Sequence, residues 1–295
     1  PAPVTAVFAG LLTKVGVYAM VRTETLLFPG DRINTLLMVV AGLTMLVGIL
    51  GALAQTDIKR MLSFTLVSHI GYMVFGLAVA SVVGIGAAVF YVVHHITVQT
   101  SLFLVTGLIE RRGGTANMDR LGGLARLSPL LAVLYFIPAI NLAGIPPFSG
   151  FLGKLGLMQA GVDLGTPLAY VLVAASVLTS LLTLLVMARV WNRAFWRTPE
   201  DAVHPDPILL ATTTDGSTVR DSGNVSGQSN GRFGGRSTVN LLPKSMVYPT
   251  VGLVALGVSL TILAGPLFSL SDDAAQDLLD RTPYIEAVLG EGSAP

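Results

Sequence analysis

Seven apolar runs, most of them near the length of a membrane-crossing helix, leave this chain few folds to choose from. They lie near 4–22, 34–55, 61–81, 84–109, 130–160, 167–188 and 246–270. A helix needs about 20 residues to cross a hydrocarbon layer about 30 Å thick. In lipid the backbone must satisfy its own hydrogen bonds, so runs of this length must be helical. The expected fold is all-α, a polytopic transmembrane helical bundle of about seven spans. Charged residues are only 12% of the chain and its mean hydropathy is +0.72, outside the range of soluble domains.

The absence of cysteine excludes disulfides, thiolate metal sites and cysteine-bound iron–sulfur clusters within this chain. A formal net charge of +1 points to no nucleic-acid partner. The first run is no signal peptide, because it lacks a basic leader and carries Lys14 in its middle. Pro1 stands where an initiator methionine would, and the chain enters a span almost at once. The expectation is a chain that begins in mid-protein, with a large part upstream.

With the spans in series, one set of loops holds Lys59, Arg60, Arg111, Arg112, Arg120, Arg126, Arg189, Arg193, Arg197, Arg220, Arg232, Arg236 and Lys244. The other set holds Arg22, Arg32 and Arg281. The positive-inside rule then places residue 1 and the loops near 56–60, 110–128 and 196–245 in the cytoplasm. Discounting 198–244, because long loops weigh less in that rule, does not change the outcome. Residues 198–244 are rich in Ser, Gly, Asn and Thr and read as a disordered cytoplasmic linker. Within it GRFGGR reads better as a flexible basic loop than as an RNA-binding tract. Residues 246–270 form the last span, and 271–295 read as an acidic extracytoplasmic tail with a short surface helix.

Two lysines, Lys14 and Lys154, lie inside the runs, together with His69, His94 and His95. An ionisable group in a span costs about 2.5–3.5 kcal/mol on insertion scales, so each demands a reason. Lys154 could snorkel to the surface, but the run 130–160 would measure about 46 Å as one helix, longer than the membrane is thick. A break at 144–150, through Gly144, Pro146, Pro147 and Gly150, resolves this. The two prolines remove two backbone donors, and Pro147 pushes its neighbour out of the helical region. Broken helices occur at membrane depth where the freed backbone lines protein or a water-filled cavity, which Lys154 would then face. Lys14 falls near mid-depth. A carboxylate partner would have to come from outside this chain, because no Asp or Glu falls within the runs.

His95 and Gln99 share a helix face at i, i+4, in a span that Thr97, Thr100 and Ser101 make polar. Such a face between two lysine-bearing helices could hold a chain of waters. For His94 a hydrogen-bonded structural role is an equal reading. The pair Ser68-His69 is not a hydrolase signature, since adjacent helical residues diverge by about 100° and no carboxylate orients the histidine. The histidines lack the carboxylate companions of a metal site. No metal and no cofactor are expected.

The stretches LLTKVGVYAMVR, DIKRMLSFTLVSHIGYMVFG, VFYVVHHITVQTSLFLVTG and NLAGIPPFSGFLGK occur in this order. Together they resemble the second half of the antiporter-like membrane subunits shared by respiratory complex I and Mrp-type multisubunit Na⁺/H⁺ antiporters. The likeness covers roughly 1–190 and, more loosely, 246–270. DRLGGLARLSPLLAVLYFIPAINLAGIPPFSGFLGK is most similar to the Mrp branch. The resemblance implies helices 8–14 of a 14-helix subunit built from two inverted five-helix repeats. Residues 1–22 would be the connecting helix and 34–188 a five-helix repeat. It further implies a proton relay of Lys14, His69, His95 and Lys154, with Lys154 facing the outer exit. His94 and Gln99 are counted with the relay residues as well. Gln99 stands where many relatives carry lysine, so that position could hydrogen-bond water without titrating. The family's glutamate of helix five and lysine of helix seven would lie upstream of Pro1, so the chain alone is not expected to transport.

The implied partners are the other subunits of an antiporter complex, membrane lipid, and H⁺ and Na⁺ as transported ions, in a bacterial cell membrane. No carboxylate in the runs marks a sodium path. The rival readings are a proton-pumping subunit of complex I and a structural scaffold subunit.

Overall fold

The computed structural model describes residues 2–28, 33–204 and 242–290, and its regular elements there are all helices. Helix α1 (Ala2–Val7) passes through a π-helical turn, Phe8–Leu12, into α2 (Thr13–Leu27). Then come α3 (Asn34–Leu53), α4 (Ile58–Val79), α5 (Val82–Gly113), the single turn α6 (Leu124–Leu127), α7 (Pro129–Ala143), α8 (Ser149–Leu164) and α9 (Pro167–Val190). After α9 a second π segment covers Trp191–Trp196. The C-terminal part holds α10 (Lys244–Ile262), α11 (Ala264–Leu279) and α12 (Thr282–Leu289).

Among the described residues six helices are long and apolar enough to cross a membrane: Val4–Leu27, α3, α4, α5, Pro167–Trp196 and α10. The run 130–160 is not a further continuous one. It divides into α7 and α8, which end and start on either side of residues 144–148.

Helix ends follow local chemistry. Asp57 accepts the Arg60 N–H at 3.1 Å and Ser81 accepts the Gly84 N–H at 3.1 Å, capping α4 and α5. Arg111 and Arg112 lie in the last turn of α5, where the helix dipole favours cations.

Helix α5 is the axis of the bundle. Its 32 residues span about 48 Å, and α1, α4, α7, α8, α10 and α11 all pack on it. Helix α3 lies outside, between α4 and α9. It leaves Leu36, Leu43, Val47 and Leu50 exposed, as suits a face that meets lipid or another subunit. Its approach to α4 needs glycine: a Cβ on Gly48 would stand 2.5 Å from the Ser68 backbone nitrogen. At that crossing the Ser68 hydroxyl donates to the Met45 carbonyl at 2.8 Å.

Three basic loops form one end of the molecule. The 56–58 and 116–118 segments exchange backbone bonds, Ile58 N–H to Ala116 at 3.0 Å and Met118 N–H to Thr56 at 2.9 Å. Arg197 donates to the Met118 and Leu121 carbonyls at 2.8 and 2.7 Å, and Arg193 pairs with Asp119 at 2.7 Å. Residues 198–204 continue along this surface, with the His204 N–H on the Asp119 carbonyl at 3.1 Å. The rest of the expected linker, 205–241, lies outside the described residues.

Two boundaries differ from the sequence expectation, for one reason: amphipathic turns extend helices beyond the apolar runs. The first helix reaches Leu27 rather than stopping at 22, and so carries Glu24, only 6% exposed, within a candidate span. The expectation that no carboxylate falls within a span is therefore corrected. At the other end the run 246–270 is shared between α10 and α11. Helix α11 takes in the acidic residues through Leu279 and packs on α5, with Phe268 stacked on Phe90 at 4.0 Å and Ala275 buried. Helix α12 places the Tyr284 ring 4.5 Å from the Arg22 guanidinium.

Candidate functional site

The break between α7 and α8 is held by several hydrogen bonds. Gly144, at φ +83°, ends α7 in the left-handed region that glycine tolerates. Pro146 and Pro147 follow, joined by a cis peptide. The Asn141 side-chain carbonyl then accepts the Gly150 N–H at 2.9 Å and the Ser149 hydroxyl at 3.4 Å, so α7 caps the start of its own continuation. The Ser149 N–H donates to the Thr261 hydroxyl of α10 at 3.0 Å. A Cβ on Gly150 would clash with the Asn141 backbone carbonyl oxygen and lie 3.0 Å from His94 Nε2, so glycine is what lets α8 start close to both α7 and α5.

Lys154, one turn into α8 and 3% exposed, turns back to the freed end of α7. Its Nζ donates to the Leu142 and Ala143 carbonyls at 3.0 and 3.1 Å and to the Ser180 hydroxyl of α9 at 2.9 Å. It also lies 5.2 Å from the centre of the Tyr72 ring. A cavity of about 290 Å³ opens beside it, bounded by Gly144, Pro146, Ser176 and Ser180 among others.

Lys14, 5% exposed, is held by a carbonyl on its own helix. The π-helical turn over Phe8–Leu12 widens the hydrogen-bond spacing, and the Ala9 carbonyl accepts both Lys14 Nζ and the Thr13 hydroxyl at 3.1 Å. Lys14 also borders an apolar cavity of about 160 Å³ with Val17, Leu77, Ala88 and Leu278. One turn earlier, Gly10 lies against Thr100 and the Ile96 carbonyl of α5.

Buried histidines lie on α4 and α5, the two most enclosed candidate spans. His69 Nδ1 is joined to the Tyr91 hydroxyl by a hydrogen bond of 2.5 Å, and the His69 and His95 rings stack with centroids 5.1 Å apart. Tyr91 lies 5.4 Å, ring to ring, from His94, whose Nδ1 is 3.0 Å from the Ser149 hydroxyl. Tyr72 stands 5.6 Å from both His69 and Tyr91 and donates its hydroxyl to the Ser176 carbonyl at 2.5 Å. Gln99 Nε2 donates to the Leu62 carbonyl at 2.8 Å. Both ring nitrogens of His95, Nε2 of His69 and His94, and Oε1 of Gln99 have no hydrogen-bond partner among the described residues.

The structure thus brings His69, His94, His95 and Gln99 into one buried polar region, bordered by Lys154 through Tyr72 and by the break through Ser149. Ser68 faces Met45 of α3 instead and takes no part. Sequence reasoning missed Tyr72, Tyr91, Asn141, Ser149 and Ser180. Each is a common uncharged residue whose importance comes from a partner on another helix. No group of three His, Cys, Asp or Glu residues suited to a metal ion occurs among the described residues.

A family model described as "NADH:quinone oxidoreductase/Mrp antiporter, TM" matches residues 1–183. A Na⁺/H⁺ antiporter subunit of Alkalihalophilus pseudofirmus is 39% identical over 293 residues, covering 99% of this chain and 52% of that protein. Among solved structures, a chain of the Mrp complex from Dietzia sp. DQ12-45-1b superposes with TM-score 0.80 at 37% identity, over 98% of this chain and 56% of that one. A chain of respiratory complex I from Thermus thermophilus superposes with TM-score 0.67 at 24% identity, over 91% of this chain and 50% of that one, which is a likeness of fold. The chain spans about half the length of the curated relatives it matches.

Proposed function

Because the chain belongs to the NADH:quinone oxidoreductase/Mrp antiporter family, we propose that it is the proton-carrying part of a cation/proton antiporter subunit. It is a multi-pass bacterial membrane protein. In this reading external H⁺ is exchanged for internal Na⁺ once the chain is assembled with the other subunits of its complex. Helices α7 and α8 cross the membrane together as one broken span. The basic end made by the 56–60, 110–128 and 196–204 loops faces the cytoplasm.

The observation that carries the reading is the buried polar region itself. Two lysines and three histidines lie inside a bundle meant for lipid, where such groups are costly and serve ion paths. Protons would pass between Lys14 and Lys154 through His95, His69, Tyr91 and His94. A neutral histidine takes a proton on one ring nitrogen and gives one from the other, as a relay requires. The ring nitrogens and Gln99 Oε1 without protein partners are where water would complete the path, since buried polar atoms require hydrogen bonds. Changes of hydration and side-chain position around Lys14 and Lys154 would open the path to either side in turn. A scaffold subunit would gain nothing from keeping these lysines buried. Among the solved structures, the likeness to complex I is one of fold.

The test uses the complete assembly in inside-out vesicles from an antiporter-deficient host. Sodium is added and proton release is followed by dye fluorescence, comparing wild type with Lys154→Ala at equal assembly. Sodium-linked flux in the wild type, abolished in the variant, is the expected result. Normal flux from the variant would remove Lys154 from the relay. No sodium response from the wild type would turn the reading toward complex I or a scaffold.

A further inference from the structure

Lys154 Nζ is held much as a small cation would be. Its three partners, the Leu142 and Ala143 carbonyls and the Ser180 hydroxyl, are neutral hard oxygens 2.9–3.1 Å away. Alkali cations prefer such oxygens, and rings of backbone carbonyls replace their hydration shells in selective membrane sites. Two of the three are freed carbonyls at the C-terminal end of α7, where the helix dipole places partial negative charge. Gly144 at φ +83° turns the chain aside directly after them, so no further helical turn covers them. Ser180 adds its oxygen from α9, and its hydroxyl also donates to the Ala143 carbonyl at 3.0 Å. The adjoining cavity of about 290 Å³ is several times the roughly 30 Å³ share of one water, so an ion can arrive there partly hydrated.

Resting on the antiporter reading above, we propose that Leu142 O, Ala143 O and Ser180 Oγ form a sodium site that the Lys154 ammonium and a sodium ion occupy by turns. When Lys154 gives its proton to the relay, the neutral amine no longer holds the three oxygens, and Na⁺ takes them from the cavity. When Lys154 regains a proton, the ammonium returns and the ion leaves. One positive charge enters as one departs. The break, the lysine and Ser180 then act as a single exchange device, and no membrane carboxylate is needed to bind the cation.

Equilibrium binding of radioactive sodium to the purified, assembled complex tests this. Four forms are compared: wild type, Lys154→Ala, Lys154→Ala with Ser180→Ala, and Lys154→Ala with Ser180→Thr. Removing the competing ammonium should tighten sodium binding about tenfold or more. Adding Ser180→Ala should weaken it about fivefold, whereas Ser180→Thr, which keeps the hydroxyl, should match Lys154→Ala alone. Equal binding in wild type and Lys154→Ala, or binding indifferent to Ser180, overturns the site. Wild-type vesicle flux separates this failure from that of the broader reading. Normal sodium-driven flux with unaltered binding sinks only the shared cradle, and absent flux sinks the antiporter reading whatever the binding shows.

Discussion

His69 Nδ1 and the Tyr91 hydroxyl lie 2.5 Å apart, tying α4 to α5 by a hydrogen bond at the centre of the bundle. The Tyr91 ring also lies 6.0 Å from the His69 ring and 5.4 Å from the His94 ring, so it neighbours both histidines. Replacing it leaves His69 with both ring nitrogens unpaired among the described residues.

Tyr91→Phe should therefore lower sodium-linked proton flux. Leaving a buried polar group without its partner costs about 1–3 kcal/mol, which falls on transfer as a reduction of about tenfold or more. Vesicle flux at matched assembly is the measurement. Unchanged flux would mean that protons bypass Tyr91.

Asn141→Leu keeps the branching and the number of side-chain heavy atoms and removes the cap on α8. The Gly150 N–H and the Ser149 hydroxyl lose their acceptor, at a cost near the roughly 1 kcal/mol typical of a lost N-cap. Amide hydrogen exchange at Gly150 should quicken by about fivefold in the assembled complex. An exchange rate equal to wild type would show that the break is held by other contacts.

Gly150→Ala places a methyl group in clash with the Asn141 backbone carbonyl oxygen and 2.9–3.0 Å from the His94 ring. Overpacking of this kind costs about 1–3 kcal/mol, and the shift it forces moves α8 away from the end of α7 as well as from α5. A lower Tm of the detergent-purified complex and a weaker flux should appear together. A stable variant with a normal Tm would mean that the backbone at Asn141 and the His94 ring both yield without cost.

Lys59→Met should do little. The Lys59–Glu110 pair spans 2.6 Å, but the two side chains are 34% and 44% exposed, and pairs this wet contribute about 0–1 kcal/mol. The same thermal scan should show almost no change, and less still at high salt. A fall as large as that of Gly150→Ala would assign this basic end a structural weight the geometry does not suggest.

The lysines and the break could be read from the residues because each violates its surroundings. A charge in an apolar run, or two prolines in a span, stands out without knowledge of any partner. Glu24 escaped notice because the apolar run stops before it, and only packing shows that the helix continues with that side chain buried. Asn141, Ser149 and Ser180 are polar residues of a kind found in many membrane helices, and nothing nearby in sequence marks them.

By itself, then, the sequence determined that the chain is a helical membrane bundle, that the apolar run 130–160 is interrupted after Ala143, and that Lys14, Lys154, His69, His94 and His95 lie within apolar runs. Those properties depend on hydropathy and backbone chemistry over a few neighbouring residues. The tertiary structure alone decided which oxygens hold Lys154, which hydroxyl meets His69, and that the break is capped by Asn141 and Thr261. Such bonds join groups as far as 112 residues apart, and a hydrogen bond's short reach lets only the packed fold choose its partners.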